Sequence, residues 1–72
     1  MKITFTKHAT ERMTERKVSS LAVELTLSMS DHKEFRADGM TFFKKIGDKT
    51  LVVAVVAKAG NEKIVKTVYW KN

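Results

Sequence analysis

The N-terminal part of the chain repeats its apolar residues at helical spacing. Ala9 and Met13 form one apolar stripe, which Phe5 extends at its start. Thr6 is a suitable N-cap, because its hydroxyl can accept a hydrogen bond from one of the first unpaired amides. The pattern predicts a helix over residues 7–16.

A second helix is predicted over residues 20–28, where Ser19 can cap the first turn and Val18 can pack on Val23. Its apolar residues lie on two nearly opposite sides, one formed by Leu21, Leu25 and Met29 and the other by Val23 and Leu27. A helix that is apolar on two sides is covered twice. We therefore expect one side to pack on a sheet and the Val23 side to meet a second copy of the chain or another partner.

After Ser28 the hydrophobic period changes to two residues, which indicates strands. Strands are predicted near residues 33–37, 40–46, 50–58 and 63–70, with turns at Asp38-Gly39, at Gly47 and after residue 58. Residues 2–5 also alternate and could form a short opening strand. The predicted fold is a single α+β domain over residues 1–72, with two N-terminal helices packed on a four-stranded antiparallel meander.

Alternation also assigns side chains to the faces of the last strand. Thr67 and Tyr69 are predicted to share one face with Val65, and Lys66, Val68 and Trp70 are predicted to point the other way. Thr67 and Tyr69 could orient a phosphate or a nucleophile, and a tyrosine can stack on a base. The alternative is that both residues are simply good strand formers.

The charge balance changes the functional picture. The 72 residues carry a formal net charge of +6 and no cysteine, which excludes a disulfide framework and indicates a polyanionic partner, most commonly nucleic acid. Lys44, Lys45, Lys49 and Lys63 are predicted to form a basic rim that contacts the phosphate backbone. The alternative is a basic domain whose lysines are only solvated. We predict no membrane span, no signal peptide and a cytoplasmic protein.

The first predicted helix carries the strongest candidate chemistry. His8, Arg12 and Arg16 follow each other at four-residue steps, and Arg16 projects close to the middle of the apolar stripe. An imidazole can take and give a proton near neutral pH, and two guanidinium groups can hold a phosphate. The alternative is that the arginines form structural ion pairs with Glu11, Glu15 or Glu34. His32 has no positioned partner in the sequence, and no metal site is predicted.

Several of these residues resemble a known family. The segments His8-Ala9-x-x-Arg12-Met13-x-x-Arg16, Val18-Ser19 and Val65-x-Thr67-Val68-Tyr69 are similar to a family of small bacterial and phage domains catalogued as domain of unknown function 4258. The resemblance covers about residues 6–70. It implies the fold shared by barnase-like, EndoU-like and RelE-like ribonuclease toxins and a metal-independent nuclease activity. Lys17 stands where the family more often has glycine.

Two functions are predicted from these residues and this resemblance. In the first, the domain is a metal-independent endoribonuclease of the toxin type that needs no cofactor: His8 transfers a proton, Arg12 and Arg16 bind the scissile phosphate, and Thr67 and Tyr69 orient it. In the second, it is a non-catalytic module of phage or mobile-element origin that binds nucleic acid or protein. The expected partners are RNA, an antitoxin or host protein, and a second copy of the chain.

Overall fold

The computed structural model describes residues 2–56 and 62–72. Their elements, in chain order, are β1 (Lys2–Phe5), α1 (Lys7–Arg16), α2 (Ser20–Ser28), β2 (His32–Arg36), β3 (Gly39–Ile46), β4 (Lys49–Val56) and β5 (Glu62–Lys71). Both predicted helices and all four predicted strands are confirmed. The predicted end of the third strand and the turn after residue 58 lie outside the described residues.

Local capping explains where the helices begin and end. The Thr6 hydroxyl accepts from the Ala9 N–H at 3.0 Å, and the Ser19 hydroxyl accepts from the Ala22 N–H at 3.1 Å, as predicted. α1 ends at Lys17, whose backbone is left-handed with φ 55° and ψ 48°. Glycine adopts that conformation at lower cost than lysine does.

The sheet has five strands in the order β1-β5-β4-β3-β2. The pairs β2–β3, β3–β4 and β4–β5 are antiparallel and confirm the predicted meander. β1 adds a fifth strand that runs parallel to β5, with Phe5 opposite Val65. The prediction of a purely antiparallel four-stranded sheet was therefore wrong. A four-residue strand has too little pattern of its own to reveal a partner at the other end of the chain.

Both helices pack on the same face of the sheet, which we call the covered face. α1 lies against β5 and β1, whereas α2 lies against β4 and β3. The core between helices and sheet consists of Ala9, Val18, Val23, Leu27, Phe42, Leu51, Val53, Val55, Val65 and Val68. Met40 and Ile46 pack against it from β3.

α2 packs with the side opposite to the predicted one. Val23 and Leu27 are buried in the core, while Leu21 is 73% exposed and Met29 is 62% exposed. The prediction that the Val23 side faces a partner was wrong. Thr26 is also fully buried on this inward side of α2. Its hydroxyl donates to the Ala22 carbonyl at 2.9 Å, so the polar group is paired within the helix.

A β-bulge in β5 corrects the predicted faces of that strand. Ala54 pairs with Thr67, but Val55 pairs with Val65, so Lys66 is an extra residue on its strand. As a result Val65 and Val68 both enter the core. The prediction that Val65 shares a face with Thr67 was wrong, because alternation cannot be carried across a bulge.

The opposite face, which we call the open face, carries the side chains that alternate with the core residues. Its middle consists of Thr41, Phe43, Val52, Ala54, Thr67 and Tyr69, flanked by His32, Glu34 and Arg36 on β2 and by Lys45, Thr50 and Lys71 at one end. Val52 lies between Phe43 and Tyr69 and is fully buried. β4 is therefore apolar on both faces.

Candidate functional site

The structure gives the predicted site residues on α1 different surroundings. His8 is exposed in the first turn of the helix. Arg12 Nη1 lies 2.7 Å from Glu15 Oε1 on the helix surface, an i,i+3 ion pair of the kind that contributes a few tenths of a kcal/mol, roughly 0.2–0.5. Arg12 therefore forms an ion pair with Glu15, one of the glutamates named as alternative partners of the arginines.

The side chain of Arg16 forms a hydrogen bond to the edge of the sheet at β5. Its Nη1 donates to the Val68 carbonyl at 2.6 Å, and Trp70 Nε1 donates back to the Arg16 carbonyl at 3.0 Å. β1 pairs with β5 only as far as Val65. Beyond that point Arg16 binds the exposed edge of β5 at the Val68 carbonyl. Covering an edge in this way prevents pairing with other chains. An arginine near the apolar stripe therefore has a structural explanation.

The sheet separates the two halves of the predicted catalytic set. His8, Arg12 and Arg16 belong to α1, which packs on the covered face, whereas Thr67 and Tyr69 lie on the open face. Glu34, a predicted partner of the arginines on α1, lies on β2 and binds Arg36 instead.

The four predicted basic-rim lysines are also divided. Lys45 lies on the open face, paired with Thr50. Lys44 and Lys49 share the covered side with Leu51, and Lys63 Nζ lies 5.7 Å from the Phe42 ring centroid in the core region. Lys71, which the prediction left out, lies on the open face with its Nζ 5.9 Å from the Phe43 ring centroid.

The open face contains a cavity of about 350 Å³. It is lined by Asp31, His32, Glu34, Phe43, Lys45, Thr50, Lys71 and Asn72. The His32 ring packs on Phe43, with 5.4 Å between the ring centroids and a tilt of 41°. An aromatic wall, two lysines, a histidine and two carboxylates thus line one concavity.

Three polar side chains of β2 form a row on the open face, and two of them, His32 and Glu34, line the cavity. His32 Nε2 lies 3.3 Å from Glu34 Oε2, and Arg36 Nη2 lies 2.5 Å from Glu34 Oε1. The sequence-based prediction assigned His32 to a loop and gave it no role. The signal was present, because residues two apart in a strand share a face, and His-x-Glu-x-Arg places all three on one side once β2 is known to begin at His32.

Asp31 fixes the rim of the cavity. Its Oδ2 accepts from the Lys45 N–H at 2.8 Å, and its Oδ1 lies 3.7 Å from Lys44 Nζ. The pKa of Asp31 is lowered from its ordinary value chiefly by that backbone hydrogen bond and further by the charge of Lys44. The contact ties the segment before β2 to β3, which holds His32 beside Phe43.

Residues 5–70 match the sequence profile of a family described as Domain of unknown function (DUF4258). The chain belongs to this family. No curated protein and no solved structure gives a significant match. The expected membership is confirmed, and the likeness to ribonuclease folds stays a prediction.

The description of the DUF4258 family names no activity. Within residues 2–56 and 62–72, no group of three or more histidine or acidic side chains is placed to hold a metal ion. The same residues contain no helix long and apolar enough to cross a membrane.

Proposed function

We propose that this DUF4258 domain binds single-stranded RNA on the open face of its sheet. The observation that carries the proposal is a row of side chains across three strands, in which Phe43 and Tyr69 flank Val52 and Lys71 lies over Phe43. Aromatic side chains on a sheet provide stacking surfaces for unpaired bases, and nearby cations contact the phosphates between them.

The charges around this row suit an RNA strand. Lys45 and Lys71 lie at one end of the face and Arg36 lies on the adjoining strand β2. The whole chain carries a net charge of +6, which attracts a polyanion at long range. Tyr69 is 40% exposed, so its ring is accessible to a base.

RNA cleavage without a metal remains part of the proposal. A ribose 2′-hydroxyl supplies the nucleophile within the substrate, so the protein has to provide only proton transfer and charge stabilisation. The separation of α1 from Thr67 and Tyr69 argues against a single site built from the five predicted residues. RNA bound on the open face would instead meet the histidine of β2.

A binding assay with two matched aromatic variants tests the proposal. The probe is a fluorescently labelled, mixed-sequence, single-stranded RNA with 2′-O-methyl groups, which cannot be cleaved through its 2′-oxygen. Tyr69→Ala should weaken binding by about 1–3 kcal/mol, roughly 5- to 150-fold in Kd, because one stacking surface is lost.

Phe35→Ala is the control for that assay. Phe35 is an aromatic residue of β2 that is 83% exposed and pairs with Met40, a residue packed against the core, so it lies on the covered side of the sheet. The Kd of the Phe35→Ala variant for this RNA should equal that of the wild type. Wild-type protein without measurable RNA affinity, or equal losses in both variants, would contradict RNA binding on the open face.

The alternative function, a non-catalytic protein-binding module, is favoured by one observation. Leu21, Leu25 and Met29 form an exposed apolar stripe along α2, and such a stripe at i, i+4 and i+8 spacing suits a protein partner. For a second copy of the chain as that partner, sedimentation should show concentration-dependent dimers that Leu21→Glu dissociates.

A further inference from the structure

We infer that the open-face cavity is an RNA-cleaving site in which Glu34 and His32 transfer the protons. The inference rests on the proposed binding of RNA to the open face. It assigns chemistry to a histidine that has no role in the motif on α1. It also places the reaction beside the surface proposed to stack the bases.

The two groups are positioned by the strand and by each other. β2 pairs with β3 so that His32 lies opposite Phe43 and Glu34 lies opposite Thr41. One carboxylate oxygen of Glu34 is held by Arg36 at 2.5 Å, which leaves Oε2 directed at His32 Nε2, 3.3 Å away. The side chains of His32 and Glu34 are 63% and 40% exposed, so a bound substrate can reach both.

Their contact allows a balanced reaction. Glu34, as carboxylate, takes the proton of the ribose 2′-hydroxyl, and the 2′-oxygen bonds to the adjacent phosphorus. The bond from phosphorus to the 5′-oxygen breaks, and that oxygen takes a proton from the imidazolium of His32. The products are a 2′,3′-cyclic phosphate and a 5′-hydroxyl. A proton then passes from Glu34 to His32 and restores the starting state.

The remaining lining of the cavity suits the same substrate. Lys45 and Lys71 line the cavity together with His32 and Glu34. The positive charges of the two lysines stabilise the negative charge that develops on the phosphorane oxygens. Phe43 forms its apolar wall and contacts His32. A volume of about 350 Å³ is at the small end of ligand pockets, so the cavity accommodates a nucleotide rather than a folded RNA element.

The test measures cleavage and binding separately. Wild type, His32→Ala, Glu34→Gln and Lys33→Ala are incubated with a single-stranded RNA in the presence of a metal chelator, and the products are analysed by mass spectrometry. Binding is measured on the 2′-O-methyl form of the same sequence. Lys33 is the control because it lies between the two residues on β2 and pairs with the core residue Phe42.

We expect the wild type and Lys33→Ala to produce 2′,3′-cyclic phosphate ends. His32→Ala and Glu34→Gln should lose at least about 100-fold in cleavage rate, since proton transfer is removed, while their Kd for the 2′-O-methyl RNA stays within about twofold. Glu34→Gln keeps the size of the side chain, and unchanged thermal unfolding of that variant excludes loss of the fold as the cause.

Three outcomes overturn the inference. Wild type that binds RNA without cleaving it leaves the proposed RNA binding intact but removes the proposed cleavage and its site. Cleavage that persists in both His32→Ala and Glu34→Gln would show that other residues transfer the protons. Wild type that neither binds nor cleaves RNA removes the proposed function together with the inference.

Discussion

The two faces of the sheet use the same strands for different purposes. On the covered face Leu51, Val53 and Val68 are fully buried beneath the helices. On the open face a fully buried Val52 lies among partly exposed aromatic, hydroxyl and charged side chains. Alternation along one strand therefore lets the covered residues secure the fold while their neighbours remain available for chemistry.

The largest expected effect is on the covered face. Leu51→Ala should lower the free energy of unfolding by about 2–5 kcal/mol, because it removes a fully buried side chain from the core. Urea unfolding measures the change. RNA affinity of the folded variant should stay unchanged, and a loss of affinity without loss of stability would show that the two faces are not independent.

A smaller effect is expected from the charges of the open face. Lys71→Gln should reduce the slope of log Kd against log salt concentration by about 0.7, the value for one phosphate contact on a single strand. Lys7→Gln is the matched control, since Lys7 is an exposed lysine at the start of α1. Equal slopes for both variants would mean that RNA does not contact the open face at Lys71.

The smallest expected effect separates the helix motif from the open face. His8→Ala should change the Kd for the 2′-O-methyl RNA by less than about twofold, because His8 is exposed on a helix that packs on the covered face. A larger change would place RNA against α1. If this variant loses cleavage while His32→Ala retains it, the proton-transfer group predicted from the sequence is the correct one.

Local signals in the sequence predicted more of this structure than long-range ones. Thr6 and Ser19 act on amides three residues away, so their capping could be recognised directly. Which side of α2 packs on the sheet depends on the position of the sheet. Both sides of the helix are apolar, so the hydropathy pattern does not distinguish the buried Val23 side from the exposed Leu21 side. The pairing of β1 and the bulge at Lys66 also depend on distant partners.

The surroundings of the predicted site residues depend on distant partners in the same way. The five residues of the predicted set lie on two elements whose relative placement the sequence does not contain. Tyr69 was predicted to be a base-stacking candidate, but its neighbours Phe43 and Lys71 can be identified only from the register of β3, β4 and β5. His32 and Glu34 could have been recognised together from their spacing of two residues, had β2 been extended to His32.

The position of β5 between β1 and β4 also constrains how the chain folds. β5 follows the other described strands in the sequence, yet within the described sheet β1 pairs with β5 alone, and α1 packs chiefly on it. A nascent chain can form the hairpin of β3 and β4 while β1 and α1 still lack their partner. Closing the contact between Ile3 and Lys63 requires a loop that contains every residue between them, which slows folding. The segment that carries the family's histidine and arginines should therefore be among the last to reach its native place.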